Sequence, residues 1–172
     1  MTYTVELLLD DGLEQHVRGL WSRLRDAGLP SLAEHPHPTN RPHLTVVTTA
    51  SLAGLQPLPL PIPAEFGAVR MLGRALVLGV TANAPLRDLY QQVVSALEDP
   101  EPWPARERWV PHVSLALRMP EDRRAAALDL FAAEPMTRGR FVTARSYDSR
   151  TRTVTELAPA PVTDGGTAVQ DR

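Results

Sequence analysis

The chain of 172 residues contains no cysteine and no lysine, so all 18 of its basic residues are arginine. Without cysteine it has no disulfide, no thiolate nucleophile and no Cys-based zinc site. Without lysine it can form neither a lysyl-AMP intermediate nor a Schiff base, and it has no P-loop lysine. Any group transfer must therefore rely on His, Ser, Thr, carboxylate or Arg side chains.

Strong net charge and long apolar runs are also missing. The formal net charge is −2 at pH 7, which gives no basic field for long nucleic acid. No segment approaches the roughly 18 to 20 apolar residues of a membrane span. The start, MTYTVELLLDDGLEQ, lacks the basic flank and cleavage site of a signal peptide. We therefore expect a cytoplasmic protein with no membrane partner.

Proline is abundant: it accounts for 17 of the 172 residues, about twice its usual share of roughly 5%. These prolines alternate with segments of regular apolar periodicity, so they mark short connections rather than disorder. The length suits one domain.

The periodicity predicts the order strand, helix, loop, strand twice along the chain. The first set is a strand at Tyr3–Leu9, a helix from Asp11 to about Ala27, a polar loop from Pro30 to Pro42 and a strand from His43 to Thr48. The second set is a strand ending near Val80, a helix from about Pro85 to Leu97, a proline-rich loop and a strand from Pro111 to Leu117.

Other segments complete the predicted architecture. They are an extended connector at Gln56–Pro63, a hairpin of Phe66–Leu72 with Ala75–Val80, a helix at Glu121–Ala133 and a closing hairpin of Phe141–Tyr147 with Thr153–Leu157. We expect one bilobal domain over residues 1–160, built from pseudo-repeats at about 3–72 and 75–158, followed by a flexible tail at 161–172.

The two equivalent strands open with the same motif, Arg-Pro-His-Leu-Thr-Val ending at Val46 and Val-Pro-His-Val-Ser-Leu ending at Leu115. Residues i and i+2 of a strand point to the same face. His43 and Thr45 therefore share one face, His112 and Ser114 share another, and the aliphatic residues lie opposite. If the two halves pair about a pseudo-twofold axis, two imidazoles and two hydroxyls converge on one cleft.

This set of groups suits chemistry at a phosphoryl centre. Two imidazoles can divide acid and base duties near neutral pH, because an unperturbed pKa near 6.5 allows either state. Hydroxyl donors suit an anionic oxygen held between them. No metal or other cofactor is expected, since the cluster of carboxylates that two-metal phosphoesterases use is missing.

The paired His-x-(Thr/Ser)-x motifs resemble the signature of the two-histidine (2H) phosphoesterase superfamily, which includes the bacterial 2′-5′ RNA ligase and cyclic phosphodiesterase group. The resemblance covers about residues 3 to 158. It implies an α+β fold of duplicated β-α-β half-domains, with antiparallel sheets forming a concave cleft and helices outside. It also implies hydrolysis of 2′,3′-cyclic phosphates, or reversible 2′-5′ joining, without ATP or metal. By this resemblance His43 and His112 are the catalytic acid/base pair, and Thr45 and Ser114 bind the phosphate.

The chain departs from that family in two places. Serine replaces the commoner threonine in the second motif, which keeps the hydroxyl donor. The stretch between Ala50 and Phe66 is short and rich in proline, where relatives usually carry a helix. The rim of the cleft is therefore altered, and the identity of the substrate does not transfer.

Further residues are candidates for substrate contact or stacking. Guanidinium groups suit phosphate, so Arg41 and Arg108 are candidate contacts together with Tyr147, and Arg106 also precedes the second motif. Trp103 and Trp109 are candidates for stacking on a base, with a core role favoured for Trp109. His35 and His37 are interpreted as part of a solvated loop. We expect a monomer that takes a nucleotide or an RNA-end cyclic phosphate.

Two other functions stay open at this point. The same cleft can belong to a non-catalytic module that binds a nucleotide or an RNA end. A metal-dependent hydrolase using His35, His37 and His43 is a third hypothesis, which the lack of an acidic partner disfavours. A serine hydrolase is excluded locally, because Ser114 does not lie in a Gly-x-Ser-x-Gly elbow. Neither the substrate nor the choice between hydrolysis and ligation follows from the residues.

Overall fold

The computed structural model describes residues 3–102 and 108–157. Its strands within these ranges form one antiparallel sheet. They are β1 (Tyr3–Leu9), β2 (His43–Thr49), β3 (Ile62–Leu72), β4 (Ala75–Val80), β5 (Glu101–Pro102), β6 (His112–Ala116), β7 (Thr137–Asp148) and β8 (Thr153–Leu157). The predicted tail at 161–172, Trp103 and Arg106 lie outside the described residues.

The sheet closes on itself through β1 and β7. Its order is β1-β2-β6-β4-β3-β7-β8, with β5 beside β2, and β1 also pairs with β7. Phe141 lies at this closure, because its register partners are Leu9 on β1 and Ile62 on β3. Six strands therefore form a closed circuit of neighbours, and the predicted antiparallel α+β class is confirmed.

The helices within the described ranges are α1 (Asp11–Asp26), α2 (Ala84–Ala96) and α3 (Arg124–Leu130). Asp10 begins α1, since its Oδ1 accepts from the Leu13 amide at 2.8 Å, and its Oδ2 accepts from the Arg140 amide at 2.7 Å. Gly28 follows the helix at a φ of +69°, a conformation that favours glycine. In the part of the chain described, no helix is long and apolar enough to cross a membrane.

One core lies between the aliphatic face of the sheet and the helices. Helix α1 buries the stripe Leu13, Val17, Leu20, Trp21 and Leu24, and α2 buries Leu86, Leu89 and Val93. The strands add Leu44 and Val113, which are register partners of β2 and β6 and are 0% and 1% exposed. The polar face of the same strands is thereby directed away from the core.

Two predicted elements have different bounds in the structure. The connector at Gln56–Pro63 ends two residues early, because β3 begins at Ile62 and pairs with the first part of β7. Ile62, Ala64 and Phe66 alternate into the core, so the period-2 pattern outweighs the missing N–H of Pro63. As expected for the short segment between Ala50 and β3, no helix forms among its residues, all of which are described.

The last helix is shorter than the predicted Glu121–Ala133. Residues Glu121–Arg123 form a 3-10 turn, and α3 ends at Leu130. The Arg23 guanidinium donates to the Leu130 carbonyl at 2.8 Å and lies over the Phe131 ring. These contacts stabilise a turn in which Phe131 enters the core at 4% exposure, whereas the pattern alone predicts three more helical residues.

Replacing Phe141 by alanine tests the closure of the sheet. The side chain is fully buried at the junction of β1, β3 and β7, so the variant should lose about 3–5 kcal/mol of unfolding free energy. Urea unfolding followed by circular dichroism measures the loss. Val154→Ala on the exposed face of β8, where the side chain is 39% exposed, is the control and should change stability by less than about 1 kcal/mol. Equal losses in the two variants would contradict the assigned role of Phe141.

Candidate active site

The polar face of β2 and β6 brings the two sequence motifs together. Leu44 on β2 and Val113 on β6 are register partners. Because the two strands are antiparallel, His43 lies opposite Ser114 and Thr45 lies opposite His112. Side chains directly opposite each other have Cβ atoms about 4.5–5.5 Å apart. The imidazoles thus occupy one diagonal of a square and the hydroxyls the other, and all four side chains line one cleft of ≈ 290 Å³.

The square belongs to a row of residues that crosses five strands. Thr45 pairs with Glu6 on β1, and Glu6 pairs with Arg145 on β7. On the other side, His112 pairs with Gly79 on β4. Strand pairing therefore orders this face of the sheet as Gly79, His112, Thr45, Glu6 and Arg145, of which the last four line the cleft.

Both imidazoles are held in the same way by the backbone. His43 Nδ1 lies 2.7 Å from the Arg41 carbonyl, and His112 Nδ1 lies 2.7 Å from the Val110 carbonyl. A carbonyl only accepts, so Nδ1 carries the proton in each neutral ring and Nε2 is left to exchange one. In both motifs a proline separates the carbonyl from the histidine. It keeps the preceding residue extended, which explains why the same contact forms twice.

Two indole groups anchor the strands beneath the hydroxyl residues. Trp21 Nε1 on α1 donates to the Ser114 carbonyl at 3.0 Å, and Trp109 Nε1 donates to the Thr45 carbonyl at 3.5 Å. Trp109 also stacks on Tyr90 of α2, with ring centroids 4.2 Å apart and an interplanar angle of 4°. Trp109 therefore packs against the core, as the alternation of its strand predicts.

A buried ion pair borders His43. Arg145 Nε donates to Glu6 Oε2 at 2.7 Å, and the two residues are 9% and 4% exposed. Thr4 Oγ1 donates to Glu6 Oε1 at 2.7 Å, and Arg145 also donates to the Thr39 carbonyl at 3.1 Å. His43 Nε2 lies 3.6 Å from Glu6 Oε1, which forms an ion pair when the imidazole is protonated. The negative charge nearest to this imidazole is thus held in place from several sides.

His112 lies in a different environment, because it is only 6% exposed. Burial lowers its pKa below the ordinary 6.5, and the charges of Arg70 and His43 lower it further, while the bond to the Val110 carbonyl opposes them. The neutral form of His112 is therefore favoured near neutral pH. The two imidazoles of the square are chemically unequal.

The loop before β2 forms one wall of the cleft. His37 Nδ1 lies 2.7 Å from Thr39 Oγ1, and its ring meets the edge of Tyr147 at 5.9 Å and stacks on His35 at 6.4 Å. Leu117, 55% exposed, also lines the cleft. The polar sequence of this loop predicts that it is solvated, but the structure places both of its histidines at the cleft, although His35 is exposed.

The candidate substrate contacts are placed differently from one another. Tyr147 and Arg41 line the cleft, and Arg41 is held by Glu14 of α1 through Nε and a terminal nitrogen, each at 2.9 Å. Arg108 is exposed and is not among the described residues that line the cleft. The structure therefore does not bring Arg108 to the predicted site, and it gives Arg41 a structural partner.

Glu6 and Arg145 were missed by the sequence reasoning. Their positions in the alternating pattern of their strands predict that both side chains are exposed to solvent. No sequence motif links the two residues, which are 139 positions apart. The available signal was local: Glu6 is the one charged residue of a strand whose neighbours on both sides are aliphatic. A carboxylate in such a strand is buried only when a partner compensates it.

Among the described residues, no group of three or more His, Asp or Glu side chains is arranged to hold a metal ion. The hypothesised triad of His35, His37 and His43 therefore does not form such a group. His37 instead has Thr39 and Tyr147 as partners, and His43 has the Arg41 carbonyl.

Comparisons with known proteins agree with this architecture. A family model described as the 2′-5′ RNA ligase superfamily matches residues 9–144. The crystal structure of the MHV ns2 PDE domain is similar at a TM-score of 0.52 and 16% identity, covering 91% of this chain and 99% of that one. A crystal structure of a phosphoesterase has a TM-score of 0.47 and 17% sequence identity, and the match covers 91% of this chain and 98% of that one. No curated protein matches the chain at a significant level.

The environment of His112 predicts a pH dependence of stability. Burial lowers the pKa of His112 in the folded protein, so between that lowered value and 6.5 the unfolded chain binds more protons. The contribution of His112 to stability is therefore greatest above about pH 7 and falls as the pH drops through this window. The variant His112→Gln should lack this contribution to the pH dependence of stability.

Urea unfolding of wild type and His112→Gln across about pH 5 to 8 measures this pH-dependent contribution of His112 to stability. The free energy of unfolding of wild type minus that of His112→Gln should be larger at the alkaline end of the range. His35→Gln, which replaces an exposed histidine, is the control and should not show this change. A difference that stays constant, or that grows toward acid pH, contradicts the assigned environment.

Proposed function

The chain belongs to the 2′-5′ RNA ligase superfamily, and from this premise and the geometry of the cleft we propose that it is a phosphodiesterase that hydrolyses the 2′,3′-cyclic phosphates of nucleotides or RNA ends without a metal ion. Membership of the superfamily confirms the resemblance carried by the two histidine motifs, and it supports a phosphoesterase activity. The observation that carries the finer proposal is the square of His43, Ser114, Thr45 and His112 on one face of paired strands.

The surroundings of the two imidazoles support a division of roles. His112 is buried beside positive charge, and the resulting low pKa favours the neutral ring that a general base needs. His43 lies 3.6 Å from the Glu6 carboxylate, which attracts the protonated ring that a general acid needs. We therefore assign His112 as the base for attacking water and His43 as the acid for the leaving oxygen.

The proposed reaction is a single displacement at phosphorus. Water attacks the cyclic phosphate and loses a proton to Nε2 of His112, while the bond from phosphorus to the 3′ oxygen breaks. Nε2–H of His43 gives its proton to that 3′ oxygen, so the products are a 2′-phosphate and a 3′-hydroxyl. Proton exchange with solvent then restores a neutral His112 and a protonated His43. The positions of the two rings on one diagonal suit attack and departure on opposite sides of phosphorus.

The hydroxyls on the other diagonal supply the remaining interactions. Thr45 and Ser114 donate to the two non-bridging oxygens, whose charge is held between the acid and the base. Their backbone carbonyls are anchored by Trp109 and Trp21, so the strand positions are already set before substrate binds. Preorganised donors of this kind contribute more to the transition state than mobile ones do.

The same groups can catalyse this displacement with an RNA 5′-hydroxyl in place of water: the 5′ oxygen attacks the cyclic phosphate and loses its proton to His112, the bond from phosphorus to the 3′ oxygen breaks with a proton from His43, and a 2′-5′ linkage forms. Such joining needs neither ATP nor a lysyl-AMP intermediate, and this chain has no lysine. The net charge of −2 favours a small nucleotide or a short RNA end over long RNA. We propose a monomeric cytoplasmic protein acting on such ends.

Removing either imidazole should abolish most of the activity. His43→Ala and His112→Ala are each expected to lower kcat/KM for a panel of 2′,3′-cyclic nucleotides by about 10²- to 10⁴-fold, because each removes a proton-transfer group. Chromatography of the nucleoside 2′-phosphate product measures the rates. The matched control is His16→Ala on α1, which lies beside Glu134 and outside the cleft lining.

Three outcomes contradict the proposal. Variants that hydrolyse the panel as fast as wild type show that the imidazoles have no catalytic role. Tight binding of cyclic nucleotides without turnover identifies a binding module that uses the same cleft. Wild-type activity should also survive a chelator, and its loss with recovery on adding zinc contradicts the metal-free mechanism.

A further inference from the structure

Gly79 leaves a space on the polar face of the sheet beside His112. It is the register partner of His112 on β4, so its missing side chain would stand directly next to the imidazole. A glycine inside a strand often marks the close approach of another group. Here a Cβ at position 79 would lie 3.6 Å from Arg70 Nε and 3.3 Å from the Ala68 carbonyl oxygen.

The group that fills this space is the Arg70 side chain. Arg70 lies on β3 opposite Val77, and Val77 lies opposite Ser114, so Arg70 is on the same face of the sheet as the square. From this position its side chain leans along β3 and places Nε over Gly79. A guanidinium is thereby set on the side of His112 that faces away from Thr45.

We propose that Arg70 is a positioning residue for the reaction, whose guanidinium over Gly79 keeps His112 in the neutral form that accepts a proton from water. This inference rests on the proposed function. Arg70 is not among the described residues that line the cleft, so it acts through His112 rather than by touching substrate. Its charge is one of the causes that lower the pKa of His112, after burial.

Among the described residues that line the cleft, Glu6 is the one carboxylate, and it is already paired. Glu6 on β1 is compensated by Arg145 on β7 at 2.7 Å, and it lies beyond Thr45 as seen from His112. His43 on β2 adds positive charge when protonated, which also disfavours a charged His112. From the loop before β2, the titratable or charged residues that line the cleft are His35, His37 and Arg41, and Arg41 is paired with Glu14.

This arrangement polarises the catalytic pair. His43 has the anion Glu6 as its neighbour at 3.6 Å, whereas His112 has the cation Arg70 across a glycine. The base and the acid are thus distinguished by opposite charges on the two sides of the square, Glu6 on β1 and Arg70 over Gly79 of β4. No carboxylate is required beside His112, where it would stabilise the wrong protonation state.

A titration of the histidine rings by NMR tests the proposal without any need for activity. The His112 signal is identified by its loss in His112→Gln. Arg70→Gln should move the titration midpoint of His112 upward, Arg70→Lys should leave it near the wild-type position, and the difference should shrink in about 1 M salt, where the Debye length is about 3 Å. Arg74→Gln, an exposed arginine of the same hairpin, is the matched control and should have no effect.

Kinetics on a 2′,3′-cyclic nucleotide give the second readout. Arg70→Gln should lower kcat/KM at about pH 5.5 and approach the wild-type value at about pH 8, since more of the base is protonated in acid. An unmoved His112 midpoint, or an equal loss at every pH with a raised KM, overturns the proposal, the latter by indicating direct substrate contact. A midpoint that moves in a protein without hydrolysis supports the coupling of Arg70 to His112 and overturns the proposed activity.

Discussion

The site depends on the antiparallel pairing of β2 with β6, which joins the two halves of the chain through Leu44 and Val113. Because strand side chains alternate, this one buried pair determines that His43, Thr45, His112 and Ser114 all lie on the opposite face. A slip by one residue would send the imidazoles into the core and the aliphatic residues into the cleft. The full burial of Leu44 and Val113 thus secures the register on which the chemistry depends.

Much of the fold follows from local pattern. The strand at Tyr3–Leu9 and the helix beginning at Asp11 have the predicted starts, since alternation, an N-cap and a terminal glycine all act within a few residues. The last helix ends early, because Arg23 from a distant helix binds its final carbonyl. The closure of the sheet through Phe141 also required contacts that no local pattern contains. The duplicated-repeat organisation stays a prediction.

The candidate site is likewise only partly predictable from local sequence patterns. The four residues of the square could be placed from two motifs, because period-2 geometry and a repeat suffice to align them. Glu6, Arg145 and Arg70 could not, since their roles arise from the pairing of β1 with β7 and of β4 with β6, strands that are far apart in the sequence. These residues supply the electrostatic difference between His43 and His112. A motif therefore locates the reacting groups, whereas the assignment of acid and base needs the three-dimensional row.

The central claim is that both Nε2 atoms and both hydroxyls meet a single phosphate. A crystal structure of the protein with uridine 2′-phosphate, the product expected from the cyclic substrate, tests it most directly. We expect the phosphoryl group to lie between His43 and His112, with the Thr45 and Ser114 Oγ atoms within about 3.0 Å of its oxygens. A phosphoryl group bound elsewhere, on the arginines of the surface or in contact with only one of the two imidazoles, would contradict it.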